Sequence, residues 1–218
     1  LYKDLPPDLI SLFQRSYNHM LKSMEEAGLH GKVICETYIN AWFFIHNHLE
    51  YLPRDSRYII IDKYPETLLM YKGLIEKQNP GLEILYLADS STDFPLKPGC
   101  IDMHLDFFAV NEHNFYHHTF LYDKLYPYLA PHADLIGTYF YFQHAPRSMK
   151  LLISQYPEAY SRNFDLDYFR NSLKNGGYEL IREEDCGCTT DSGTNLGFGF
   201  HVKGEKMHLL PYHGRKCT

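Results

Sequence analysis

No stretch of the 218 residues is apolar for long enough to span a membrane, and no signal-peptide pattern stands at the start. Basic residues are in deficit. The 21 Lys and Arg stand against 27 Asp and Glu, a formal net charge of −6, so this domain by itself lacks the field that holds phosphate backbones. Neither nucleic acid nor membrane is therefore expected as a direct partner. The cysteines, at 35, 100, 186, 188 and 217, form no CxxC pair, and their odd number points to a reducing, cytoplasmic setting. The one-residue gap in Cys186-Gly187-Cys188 is wrong for a zinc knuckle and strains a local disulfide, so both are expected as free thiols. No GxSxG elbow, GxxxxGK[ST] loop or HExxH helix occurs, which removes the common signatures of serine hydrolysis, P-loop phosphate binding and zinc proteolysis.

What is present is a strand–helix alternation. After Pro6-Pro7-Asp8, the residues Leu9, Leu12, Phe13, Tyr17, Met20, Leu21 and Met24 recur at helical spacing as far as Gly28. Strands are expected at Lys32–Glu36, Arg57–Asp62, Leu82–Ala88, Ile101–Val110 and Leu135–Phe142. Between them, helices are expected at Ala41–Tyr51, Pro65–Lys77 and Phe115–Tyr128. Asp165 caps a further helix to Lys174, and two last strands, Tyr178–Glu183 and Leu196–Val202, read as antiparallel around the CGCTTDSG loop. Strands such as RYIIID, apolar on both faces, belong in a parallel sheet covered on both sides. The expected division is a helical lead-in over 1–29, an α/β domain over 30–203 and a polar, loosely held tail over 204–218.

This order of elements resembles the class I S-adenosylmethionine (SAM) methyltransferase fold, a doubly wound, mostly parallel seven-stranded Rossmann-like sheet closed by an antiparallel hairpin. The resemblance rests on VIC at 33–35, IIID at 59–62, LADSSTDFPLKPGCIDMHLDFF at 87–108 and LYPYLAPHADLIGTYF at 125–140. It implies that Asp62 bonds ribose hydroxyls, that Asp89 meets the adenine amino group, and that Glu36, Thr37 and Tyr38 border the cofactor. It also places Asp106 and Asn111 where acceptor-facing groups usually stand. Each acid has a plainer alternative: Asp62 ends a strand by reaching water, and Asp89-Ser90-Ser91 is turn chemistry.

The departure from that family lies in glycine. Where it places small residues after the first strand, this chain has Glu36-Thr37-Tyr38-Ile39-Asn40-Ala41 and then Trp42. Where it places paired glycines, the chain has Ala130-Pro131-His132-Ala133. A positive φ at such residues is strained, and side chains as large as Tyr38 take up ligand volume. SAM binding is therefore expected to be weakened or gone, leaving either no cofactor or SAM held in another way. The stretch LYKDLPPDLISLFQRSYNHMLKSMEEAGLHGKVI resembles the entry to the methyltransferase-like domain of some bacterial MerR-type regulators. With the start at Leu1, it implies that a DNA-binding head precedes the chain.

Three functions stay open at this stage. They are a regulatory or small-molecule-sensing domain of a transcriptional regulator, a SAM-dependent methyltransferase acting on a small molecule, and a structural homodimerisation module. His113 and His117, four apart, share a helical face and could hold a metal only with a third ligand. They read as surface or hydrogen-bonded histidines, and no metal site is assigned.

Overall fold

The structure is a computed structural model that describes residues 5–39, 44–88, 93–191 and 203–218. Pro7, whose fixed φ suits the first helical turn, starts α1 (Pro7–Ala27), and Gly28 ends it at φ 74°. There follow β1 (Val33–Thr37), α2 (Phe44–Asn47), β2 (Arg57–Asp62), α3 (Pro65–Gln78) and β3 (Glu83–Ala88). Next come β4 (Ile101–Phe107), α4 (Ala109–His117), α5 (Leu121–Leu125) and β5 (Leu129–Phe142). The chain closes with α6 (Lys150–Gln155), α7 (Pro157–Phe164), α8 (Leu166–Asn175), β6 (Tyr178–Glu183), β7 (Cys188–Asp191) and β8 (Lys203–Lys216).

The strands form one sheet in the order β3-β2-β1-β4-β5-β8-β6, with β7 beside β8. β1 to β5 pair in parallel, and β8 lies antiparallel to β5, β6 and β7. The strand order reverses between β1 and β4, so the ligand crevice of such a sheet lies at their carboxyl ends. Alternate residues of each strand serve opposite faces. Ile34, Tyr58, Ile60, Met103 and Leu105 pack with α1, α2 and α3. Cys35, Ile59, Ile61 and Leu135 pack with α5 and α8.

Several expected boundaries are corrected. The fourth strand stops at Phe107, not Val110, because the Asp106 carboxylate accepts from the N–H groups of Ala109 and Val110. That cap starts α4, with Phe108 turned to φ 68°. The helix expected over 115–128 is broken at His118, φ 57°, into α4 and α5. Residues 150–164, unassigned from sequence, hold α6 and α7. Only Phe44–Tyr51 of the second expected helix is described, as α2 and a 3₁₀ turn, and the strand expected at 196–202 lies outside the described residues.

The largest correction concerns the tail. Residues 203–216 are not loose: they form the long strand inserted between β5 and β6, with Met207, Leu209, Leu210 and Tyr212 buried. Likewise, the lead-in shares the core of the α/β segment, since Leu9, Leu12, Phe13, Met20 and Met24 are fully or almost fully enclosed there.

Candidate functional site

The crevice is built where β1, β2 and β4 end. Tyr38 follows β1 with φ 55°, the left-handed region that glycine would enter freely. Its N–H still bonds the Ile61 carbonyl at 2.9 Å, which ties the turn to β2. The Tyr38 ring is folded inward and buried. Its hydroxyl meets His113 Nδ1 at 2.6 Å, and His113 Nε2 meets the Thr119 hydroxyl at 3.0 Å. His117 stacks on His113 with centroids 4.7 Å apart. Burial lowers the His113 pKa to about 3, so the ring is neutral and one nitrogen donates while the other accepts.

Glu36 is buried at the end of β1. Its two carboxylate oxygens accept from the N–H groups of Phe44 and Ile45 at 2.7 and 2.9 Å. The chain's own carboxylate thus occupies the first turn of α2. Burial pushes its pKa up to about 8, against the pull of those two bonds. Thr37 is also enclosed, with its hydroxyl 3.0 Å from His104 Nε2.

Asp62, at the end of β2, is 4% exposed and accepts from the Tyr64 N–H at 2.8 Å, opening α3. Burial raises its pKa to about 6, while the Tyr64 N–H and Lys63 pull it down. Asp89 lies outside the described residues, as do Asn40, Ala41 and Trp42.

Asp106 and Asn111 are fully buried and bonded within the protein. Besides capping α4, Asp106 accepts from the Tyr212 hydroxyl at 2.5 Å, and Tyr212 in turn meets the Tyr122 hydroxyl at 2.5 Å. Burial lifts the Asp106 pKa to about 7. Asn111 donates to the carbonyls of Phe140 and Asn163 and accepts from the Phe140 N–H, joining α4, β5 and α7.

The structure thus brings Glu36, Thr37 and Tyr38 to one corner, with Asp62 on the adjoining strand. His113, read from the sequence as a surface or hydrogen-bonded histidine, is buried and hydrogen-bonded at this corner, a place the sequence reading did not give it. Its signal was the tyrosine standing at a glycine position, since a buried phenol needs a partner. Among the described residues no three His, Cys, Asp or Glu groups converge as a metal site, and all five cysteines are free. No described helix is long and apolar enough to cross a membrane. A separate open groove of about 640 Å³ lies at the opposite, amino ends of the strands, lined by Arg57, Glu83, Leu85, Lys97 and Cys100. It runs beside residues 93–100, the described part of the β3–β4 connection, which holds no helix.

No protein-family model matches the chain, and no curated protein matches it in sequence. Solved structures match its fold. A SAM-dependent methyltransferase from Aquifex aeolicus has a TM-score of 0.59 at 14% identity, covering 95% of this chain and 97% of that one. The MccD protein has a TM-score of 0.66 at 11% identity, covering 91% and 96%. The [4+2]-cyclase SpnF reaches 0.67 at 11%, covering 94% and 83%. At such identities the likeness concerns architecture alone, and one architecture carries more than one chemistry. The chain has the fold of the class I SAM-dependent methyltransferases.

Proposed function

We propose that this chain is a regulatory or ligand-sensing domain on a methyltransferase fold, with a crevice that no longer takes SAM in the manner of that fold. The observation that carries the proposal is Tyr38. Its left-handed backbone costs about 1–2 kcal/mol relative to glycine, and its ring lies folded inward against His113 at the first βα corner. His132, at the second site lacking the expected glycine, also has a positive φ, 62°. At both positions the backbone takes the left-handed shape that a small residue adopts most freely, and the chain carries a large side chain there. Glu36 adds to this by holding two N–H groups just beyond the same corner.

The ligand in this reading is a small molecule other than SAM. The likeness of the lead-in to MerR-type regulators supports a place behind a DNA-binding head in a larger bacterial transcription factor. A second reading, a SAM-dependent methyltransferase acting on a small molecule, is favoured by one observation: Asp62 stands buried at the end of β2, where the resemblance puts the ribose acid. Titration calorimetry with SAM separates the two. No heat of binding is expected with SAM up to ~1 mM, an affinity floor near −4 kcal/mol. Micromolar binding that disappears in Asp62→Ala would overturn this reading and favour the enzyme.

A further inference from the structure

Helix α3 buries one face and leaves its opposite face apolar. Leu68, Tyr71 and Ile75 enter the core. With a step of about 100° per residue, Glu66, Leu69, Met70, Gly73, Leu74 and Lys77 fall together on the outward side. Leu69 is 69% exposed, Met70 55% and Leu74 39%. Single exposed apolar residues are ordinary, but three neighbours in one stripe on one helix are a patch. Gly73 sits in the middle of this stripe. A methyl group added there would meet nothing within 4 Å, so no packing inside the protomer calls for glycine, although glycine weakens a helix interior relative to alanine.

The order of residues identifies what covers the patch. About the midpoint between Tyr71 and Lys72 the stripe is self-complementary when read in opposite directions. Glu66 then faces Lys77 and Met70 faces the notch at Gly73, while Leu69 and Leu74 line the two flanks of the contact. In an isologous two-fold contact each of these pairs is made twice, once on either side of the axis. The glycine lets the two backbones approach where the helices cross, and the acid–base pairs close both ends of the contact.

We propose that α3 is a homodimer surface, on which a second copy of this chain lays its own α3 antiparallel. The proposal is independent of what the crevice binds. Two 14-residue helices cover well under the roughly 1,600 Å² of a standard interface, so the dimer is expected to dissociate in the micromolar range.

Sedimentation velocity of the 218-residue chain between about 1 and 100 µM tests this. The expected result is a concentration-dependent rise from the 25.6 kDa protomer to twice that mass. Leu69→Glu should remove the dimer across that range. Glu66→Lys or Lys77→Glu alone should weaken it roughly tenfold, by placing like charges opposite each other twice, and the double reversal should restore it to within about threefold. All of these positions are exposed, so circular dichroism should show unchanged folding. A protomer that stays monomeric throughout overturns the proposal, as does a dimer indifferent to Leu69→Glu. Single reversals that the double reversal fails to rescue overturn the antiparallel pairing itself.

Discussion

Asp106, Gly137 and Tyr212 stand side by side on three adjacent strands, Asp106 opposite Gly137 and Gly137 opposite Tyr212. The Tyr212 hydroxyl reaches across the middle strand to the Asp106 carboxylate, which also caps α4. Only the absence of a side chain at 137 permits this. A Cβ there would lie 2.7 Å from both the Asp106 carbonyl and the Tyr212 hydroxyl, closer than non-bonded carbon tolerates. Backbone cannot yield cheaply, so Gly137→Ala is expected to cost about 1–3 kcal/mol, read as a lower urea midpoint with an unchanged slope. From the sequence, Asp106 and Asn111 looked like groups facing a substrate. Their placement at and just after the end of the fourth strand was legible, but their hydrogen bonds were not, because the partners come from residues as distant as Tyr212 and Asn163. Tyr38 was legible in a different sense. Its bulk at a glycine position could be read directly, whereas the left-handed φ falls on Tyr38 itself and the ring finds its partner on α4.

Glu36 works at the scale of elements, because it joins the end of β1 to the start of α2. In the unfolded chain its carboxyl titrates near 4.5, and in the folded chain burial carries this to about 8. Asp106 moves the same way, from 3.8 to about 7. The folded state therefore retains protons that the unfolded state has released, and the free energy of unfolding must fall as pH rises. This contribution is complete below the unfolded values and is lost by about pH 8. Between pH 6 and pH 8 the two groups together should cost the wild-type chain about 3–4 kcal/mol, somewhat over half of it from Glu36, seen as a falling urea midpoint. Glu36→Gln, which cannot titrate, should show a distinctly shallower fall even if its stability is lower throughout. The boundaries of α4 follow the same logic of side chain against propensity. Phe107-Phe108-Ala109-Val110 reads as continuing strand, and the cap supplied by Asp106 overrides it one residue after Phe107.

Across the whole molecule the parallel half of the sheet was plain in the sequence, because its strands are short apolar runs closed by turns; β2 falls on the expected residues, Arg57–Asp62. The antiparallel half was harder to see. β8 begins KGEK, contains Pro211 and Gly214, and carries His208, His213 and Arg215 among its apolar residues, so neither alternation nor composition marks it as central. Its place is set by its neighbours. β5 borders it along Asp134–Phe142, and β6 and β7 share its other edge. Asp134 ties it further by accepting from His213 and Arg215; burial pushes its pKa up, but these two and Lys32 outweigh that and hold it down at about 2. Proline is tolerable at 211 because a proline carbonyl still accepts, here from the Glu184 N–H. A strand held on both edges behaves differently from a tail. Ending the chain at residue 202 would leave β5 and β6 each with an unpaired edge and would uncover Phe140, Tyr139 and Phe169. The truncated chain is therefore expected to lose cooperative unfolding and to be cut rapidly by trypsin within β5 and β6. A truncated chain that melts within a few degrees of the full one, about 1 kcal/mol for a chain of this size, would show that β5 and β6 need nothing between them.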